Sequence, residues 1–549
     1  MKKALSILMA TALAATSLAG CGQAASSAAD SAPVADTSTS SSTEETSDGK
    51  KEFTIVCQAA GDTNPSVTDW WIWKKYEEMT GIHINWIEVP ESSMSERKNL
   101  IMNSDDVPDA FWQVTWTTEE LTRYGSEGAF VNIAPYMDTC TPNLKKLLTE
   151  EVKGGLAAVT MTDGGIYSMP WVMTDRPQMN ARFYLNKNWL ENAGLETPTT
   201  IDELTNVFKT FKEQDVNGNG DPNDEWPIYM QPRGISMLNE MLCGAYGIGN
   251  NGFKPISEDY YIDKDGNVQF LYTSDGMKQM WQQMNEWWDA GYFYPETFGS
   301  YEYENWVTDG KVNDVVGMYG WGDAAFLYSD ASKDYVGIAA LKGPNGDQVQ
   351  SWCDFPVRSA SAFTITSACD DVETLLKWAD FFYGEEGTTF AAYGTEGETY
   401  TKDSDGNIRY CDDILNYDGG AQLGAWQYGF FVYGGNFPWR SYDSETMELA
   451  RKQDDPSFVG EKFSDYTADS EKYAADLMPA LTPTTEEADQ ISAIKPDVDT
   501  YVTEARMNFV TGTWNFDSDW DAYVEQLKKM GIDDYVAIKQ TQYDRYKAA

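Results

Sequence analysis

Arg182-Phe-Tyr-Leu-Asn-Lys-Asn-Trp-Leu190 and, one helix later, Asp215-Val-Asn-Gly-Asn-Gly-Asp-Pro-Asn-Asp-Glu225 frame the stretch that decides the fold. The helix between them is amphipathic: Ile201, Leu204, Val207, Phe208 and Phe211 share one face, and Thr200 with Glu203 forms a capping box. Past it, oxygen-bearing side chains fall on alternate residues, Asp215, Asn217, Asn219 and Asp221, and converge if Gly218 and Gly220 bend the chain. A hard cation takes such a set, so the loop is expected to hold Ca2+ as a structural staple. Asp224 and Glu225 complete the candidate ligands, because Trp226 stands where an EF-hand loop would end in a bidentate Glu. The competing reading is a plain Asx/Gly turn, as expected for Asp263–Asn267 and Asp403–Asn407.

Outward from that stretch, the whole chain is strongly acidic. Its 549 residues carry 40 Lys and Arg against 87 Asp and Glu, a net charge of −47. Such a field repels phosphate backbones and excludes nucleic acid as a partner. The seven cysteines lie far apart with no zinc spacing, and His83 is the only histidine. Free thiols are therefore expected, and neither zinc nor His-assisted nucleophilic catalysis finds support.

Met1-Lys-Lys, an apolar run from Ala4 to Ala15, and Leu18-Ala-Gly-Cys21 follow the order of a secretory signal over residues 1–20. The last four residues resemble a bacterial lipobox, which implies a diacylglyceryl anchor on Cys21. Residues 21–51 are Ala, Ser, Thr and acidic residues, read as a flexible tether. Folded sequence begins at Glu52. Strand Phe53–Gln58, helix Val67–Met79, strand Ile82–Val89, helix Ser95–Asn103 and strand Asp109–Val114 predict a parallel βαβαβ unit. Ligands in such sheets collect beyond the carboxyl ends of the strands. Trp70 and Trp116 sit in those loops, with Trp116 the favoured cleft residue. Gly165–Trp171 reads as a hairpin edge near the crossing to a second lobe, placed at 175–183. Ser361–Thr366 reads as a strand returning to the first lobe, and helices are expected around 470–478, 497–509, 519–530 and 533–546.

Several runs together carry a resemblance: Cys21, Gly81-Ile, Val107-Pro-Asp109, Gly165-Ile-Tyr-Ser-Met-Pro170, Leu185–Leu190, Pro198–Leu204, Asp215–Pro227 and Tyr393-Gly-Thr-Glu-Gly397. They resemble the extracellular solute-binding proteins of family 1, of the long oligosaccharide type serving ABC importers. Relative to that family's calcium loop, one extra residue separates Gly220 from Asp224. The resemblance implies an α/β, two-lobed, type II periplasmic-binding-protein-like fold, hinged around an interlobe cleft. Lobe 1 would take 52–180 and about 358–435, and lobe 2 would take 181–357 and about 436–549. It further implies a monomer that captures an oligosaccharide and delivers it to ABC permease subunits, held by Cys21 at the outer face of the cytoplasmic membrane.

Binding a sugar takes flat aromatics and planar polar groups. The candidates are Trp70, Trp116, Trp171, Trp321 and Trp439 as platforms, with Arg182, Asp323 and Glu396 as polar contacts. For each, core packing or a surface salt bridge is the competing role. The acidic balance favours a neutral glycan. No catalytic residue is assigned. A secreted glycoside hydrolase and a peptide-binding receptor remain the alternative functions.

Overall fold

The computed structural model describes residues 50–59, 66–174, 182–231, 234–248, 259–299, 301–321, 327, 331–350, 355–404, 408–417, 421–431, 437–441, 472–474 and 481–548. The signal, Cys21, the tether through residue 49, residues 175–181 of the crossing and Asp323 lie outside them, and Lys51, expected in the tether, begins the first strand.

Strand β1 (Lys51–Gln58), helix α1 (Trp71–Thr80), β2 (Ile82–Val89), α2 (Glu91–Met102) and β3 (Ala110–Trp112) form the expected parallel unit, with β1 paired to both β2 and β3. Gly81 ends α1 at φ 70°, a left-handed cap that glycine adopts without steric cost. A capping box, Thr117 with Glu120, starts α3 (Thr118–Ser126). Strand β4 (Met169–Met173) is not the hairpin edge that its sequence suggested. It lies inside the sheet, because later chain returns to cover both of its sides.

The second sheet is built around β5 (Arg182–Asn186), followed by α4 (Ile201–Glu213), α5 (Ile235–Leu242) and α6 (Asp275–Asp289). Strands β6 (Met318–Trp321) and β7 (Tyr335–Ile338) flank β5 antiparallel. All five apolar residues expected on α4 are buried, each worth roughly 1.5–3 kcal/mol. Its cap differs from the expected box. Thr200 accepts from Glu203 N, but the Glu203 carboxylate reaches back to Thr199 N and Oγ1, at 2.8 Å each, rather than to Thr200.

Strand β8 (Val357–Ile365) then returns to the first sheet, antiparallel between β3 and β4, and β9 (Arg440–Ser441) adds beyond β4. The resulting order is β9-β4-β8-β3-β1-β2. Two cores result. One draws on Phe53–Val172 and Phe363–Trp439, the other on Phe183–Leu341 and Ile491–Tyr535. The C-terminal helices begin with α7 (Thr485–Val510), longer than the expected 497–509 and containing Pro496, and end with α8 (Ile532–Ala548). Of the helix expected at 470–478, only 472–474 lie among the described residues, as a turn and bridge. Among the described residues no helix is long and apolar enough to cross a membrane.

Cys57, Cys140, Cys243 and Cys369 are buried and Cys411 is half-buried, all five as free thiols. Burial pushes the Cys57 thiol far above its ordinary value and that of Cys369 up to about 12. Cys353 lies outside the described residues.

Candidate functional site

Strands β1, β2, β3, β4 and β9 all run one way and β8 runs against them. One edge of the first sheet therefore collects Gln58, Val89, Gln113, Met173, Val357 and Ser441. Trp171 approaches this edge half-buried on β4, opposite Ser359. The Arg358 guanidinium lies 5.2 Å from its ring centroid, and burial pulls that guanidinium down to about 10. The pair sets a half-buried indole, packed on the first core, beside a guanidinium at this edge, with Trp171 Nε1 and Arg358 Nη1 enclosed. Next along the edge, the β9 residue Arg440 pairs with Glu151 at 2.8 Å.

The turn after β3 was missed by sequence reasoning. Gln113 has φ 60° and is 9 % exposed. Its N–H donates to Ala362 O, and Ser361 Oγ accepts from Trp116 N and donates to Trp116 O. This fixed turn carries Trp116 away from the cleft. The ring is 3 % exposed, edge-on to Phe111, Tyr124 and Phe130, with the Lys98 ammonium 4.8 Å above it. The expected cleft platform is thus a core residue. Trp70 and Trp439 are likewise enclosed, the first edge-on to Trp426 and the second to Phe431. Apolar burial outweighed turn position in all three cases. Glu396 is exposed on the turn before the Tyr400–Lys402 hairpin strand.

In the second lobe, Arg182 and Trp321 face each other in the β5–β6 register, which brings their backbones together at one end of that sheet. Their side chains lie outside the description, as does all of Asp323.

A cavity of about 980 Å3 lies elsewhere, between α2–α3 and α7–α8. Its charges are largely paired among themselves. Lys495 joins Asp259 and Asp499, and Lys539 lies 3.9 Å from Glu119. It is a charged crevice with α2–α3 on one side and α7–α8 on the other, bridged by the Lys539–Glu119 contact.

The acidic loop bends as expected, with Gly218 at φ 73° and Gly220 at φ 95°. Asp215 Oδ2 accepts from Gly220 N, Asn217 Oδ1 from Asn219 N, and Asn219 Oδ1 from Asp221 N. The Asp224 carboxylate receives the amides of Asn217 and Asn219, at 3.3 and 2.7 Å. Asp221 turns outward and caps Asn223. Glu225 is fully buried. Its Oε1 accepts from Val216 N while Oε2 has no hydrogen-bond partner among the described residues, and burial raises its pKa. Among the described residues no three Asp, Glu, His or Cys side chains form a metal-binding group. The oxygens of this loop come from Asn amides as much as from carboxylates.

The pattern described as bacterial extracellular solute-binding protein matches residues 71–405. The fructooligosaccharide ABC transporter substrate-binding protein FusA of Streptococcus pneumoniae serotype 4 is 28 % identical over 493 residues, 87 % of each chain. The solved structure of S. pneumoniae FusA with kestose superposes with a TM-score of 0.73 at 25 % identity, covering 91 % of this chain and 100 % of that one. An EF-hand mutant of FusA with fructo-nystose gives 0.72 at 24 %, with the same coverage.

Proposed function

Because the chain belongs to the bacterial extracellular solute-binding proteins, we propose that it captures an oligosaccharide between two lobes and delivers it to the permease of an ABC importer. The observation that carries this reading is the match, over 87 % of both chains, to a fructooligosaccharide ABC transporter substrate-binding protein. The sheet edge at Trp171 and Arg358 supports it with suitable chemistry. A pyranose or furanose ring presents C–H faces to an indole, and its hydroxyls accept from a guanidinium in pairs. Arg182, Trp321 and Asp323 are the proposed second wall, supported by the position of the β5–β6 end. A ligand that touches both walls only when they meet shifts the population toward closure. Nothing in this cycle requires bond breaking, and we read the protein as a binder rather than an enzyme.

The loop from Asp215 to Glu225 is read as a structural calcium site. What supports the reading is the donor chemistry: Asp215, Asn217, Asn219 and Asp224 carry the oxygens a hard cation takes, and the buried Glu225 has one oxygen without a partner among the described residues. Asp221 joins them only by turning back from Asn223. The bound ion would supply charge compensation and hold the loop to the end of α4. A lipid on Cys21 and the tether would keep the folded unit, Lys50–Ala549, at the outer face of the membrane.

The test is a titration of the 50–549 unit with kestose, nystose, oligogalacturonides and short peptides, followed by product analysis. Saturable binding of one glycan class without cleavage is expected, with a ligand-dependent rise in Tm. Released product would support the hydrolase. Binding of peptides alone would retain a two-lobed receptor and end the sugar reading.

A further inference from the structure

Among the described residues only Gln113 and Asp314 are non-glycine residues with positive φ, 60° and 50°. A side chain in that region costs conformational energy and persists only where surrounding contacts impose it. For Asp314 the reason is internal. Its carboxylate accepts from Asn186 Nδ2 at 2.9 Å and from Trp189 Nε1 at 3.3 Å, and its backbone oxygen accepts from Asn217.

Gln113 has no such return. Its backbone is pinned to β8 through Ala362, but its side-chain amide makes no hydrogen bond with any described residue, although the residue is only 9 % exposed. Neither atom of that amide is among the enclosed unpaired ones, so the small exposure the residue keeps includes the amide, which is open to water or to a ligand. The kink also breaks strand alternation. Ala110 and Trp112 face the first core and Phe111 a smaller cluster with Val56, Val89, Trp116 and Phe130 on the opposite face of the strand, so regular continuation would place Val114 with Trp112. Val114 instead joins the Phe111 cluster. The left-handed residue absorbs the reversal. That position is the carboxyl end of β3, which β1 and β8 flank on either side, where ligands of such sheets collect.

We propose that Gln113 is a specificity-determining residue whose amide donates to and accepts from adjacent hydroxyls of the bound glycan. The left-handed backbone at residue 113 is what aims it there. This rests on the oligosaccharide reading above.

The experiment uses the full chain, with calorimetric titration against kestose, nystose and an oligogalacturonide, alongside ligand-free Tm. Wild type establishes which glycan binds. Gln113→Gly relieves the backbone and removes the amide. It should raise the ligand-free Tm by about 1–3 °C and weaken binding at least tenfold. Gln113→Asn keeps a residue tolerant of the left-handed region with a shorter reach. It should fold as wild type and also bind at least tenfold more weakly. Unchanged affinity in both variants overturns the proposal while leaving the oligosaccharide reading intact. Failure of wild type to bind any of the three glycans overturns that reading, and this inference with it.

Discussion

Trp171 and Asp380 show how one residue's surroundings set a measurable outcome. Trp171 is half-buried under Arg358 at the sheet edge, so Trp171→Ala should remove a ligand face while the core around Met169 and Val172 stays packed. Affinity for the cognate glycan is expected to fall about 30-fold, roughly 2 kcal/mol, with a much smaller change in Tm, read by calorimetric titration and thermal melting. Asp380 accepts from Asn143 N at 3.1 Å and Leu144 N at 2.9 Å, yet burial raises its carboxyl to about 6. The folded state therefore holds this proton more tightly than the unfolded chain, whose carboxyl sits near 3.9. Its contribution to stability is fully present below the unfolded value and is lost as pH rises through about 6. Tm should decline between pH 4 and 6.5 more steeply in wild type than in Asp380→Asn, which thermal melts across that range would check. Sequence could not sort the tryptophans at this scale, because core and cleft use the same ring. Trp73, Trp86, Trp112 and Trp378 pack against one another in a single aromatic cluster. Nothing in their letters distinguishes them from Trp171. Gln113 was invisible for a different reason, since a positive φ at glutamine has no composition signal.

The strands and helices were far more legible, because period and caps are local properties. The α4 stripe, the β1–β2–β3 order and the Gly81 stop all follow from spacing. What spacing could not supply was partnership. Gly165–Trp171 looks like an edge until β8 and β9 close on β4 from elsewhere in the chain, and α7 starts early because Pro496, which argues against a helix interior, is tolerated within 26 residues of helix. The acidic loop belongs to this scale as well. Calcium at millimolar concentration should raise Tm by a few degrees, as expected for a ligand far above its Kd, and a chelator should reverse it. Glu225→Gln, which keeps the size of the buried group and removes its charge, should abolish the calcium-dependent part of the shift. A calcium-independent Tm in wild type would leave the loop as a turn held by its Asn–Asp224 bonds.

At the level of the molecule, the two cores meet across the crevice where Lys539, 3 % exposed, approaches Glu119 on α3. Lys539→Met leaves that carboxylate without its cation. The cost is expected at the low end of the about 3–5 kcal/mol typical of broken buried pairs, since the contact is 3.9 Å. It should appear as a lower Tm and, in small-angle scattering of the ligand-free protein, a larger radius of gyration as α3 and α8 part more readily.

The buried thiols give this architecture built-in clocks. Cys57, Cys140 and Cys369 lie in the first core and Cys243 in the second. A thiol this enclosed reacts with a bulky disulfide reagent only after its surroundings open. Labelling under mild denaturant, resolved by peptide, would therefore time the opening of each lobe separately. Two distinct rates would mean that the halves unfold as independent units. One shared rate would mean that the lobes unfold as a single cooperative body.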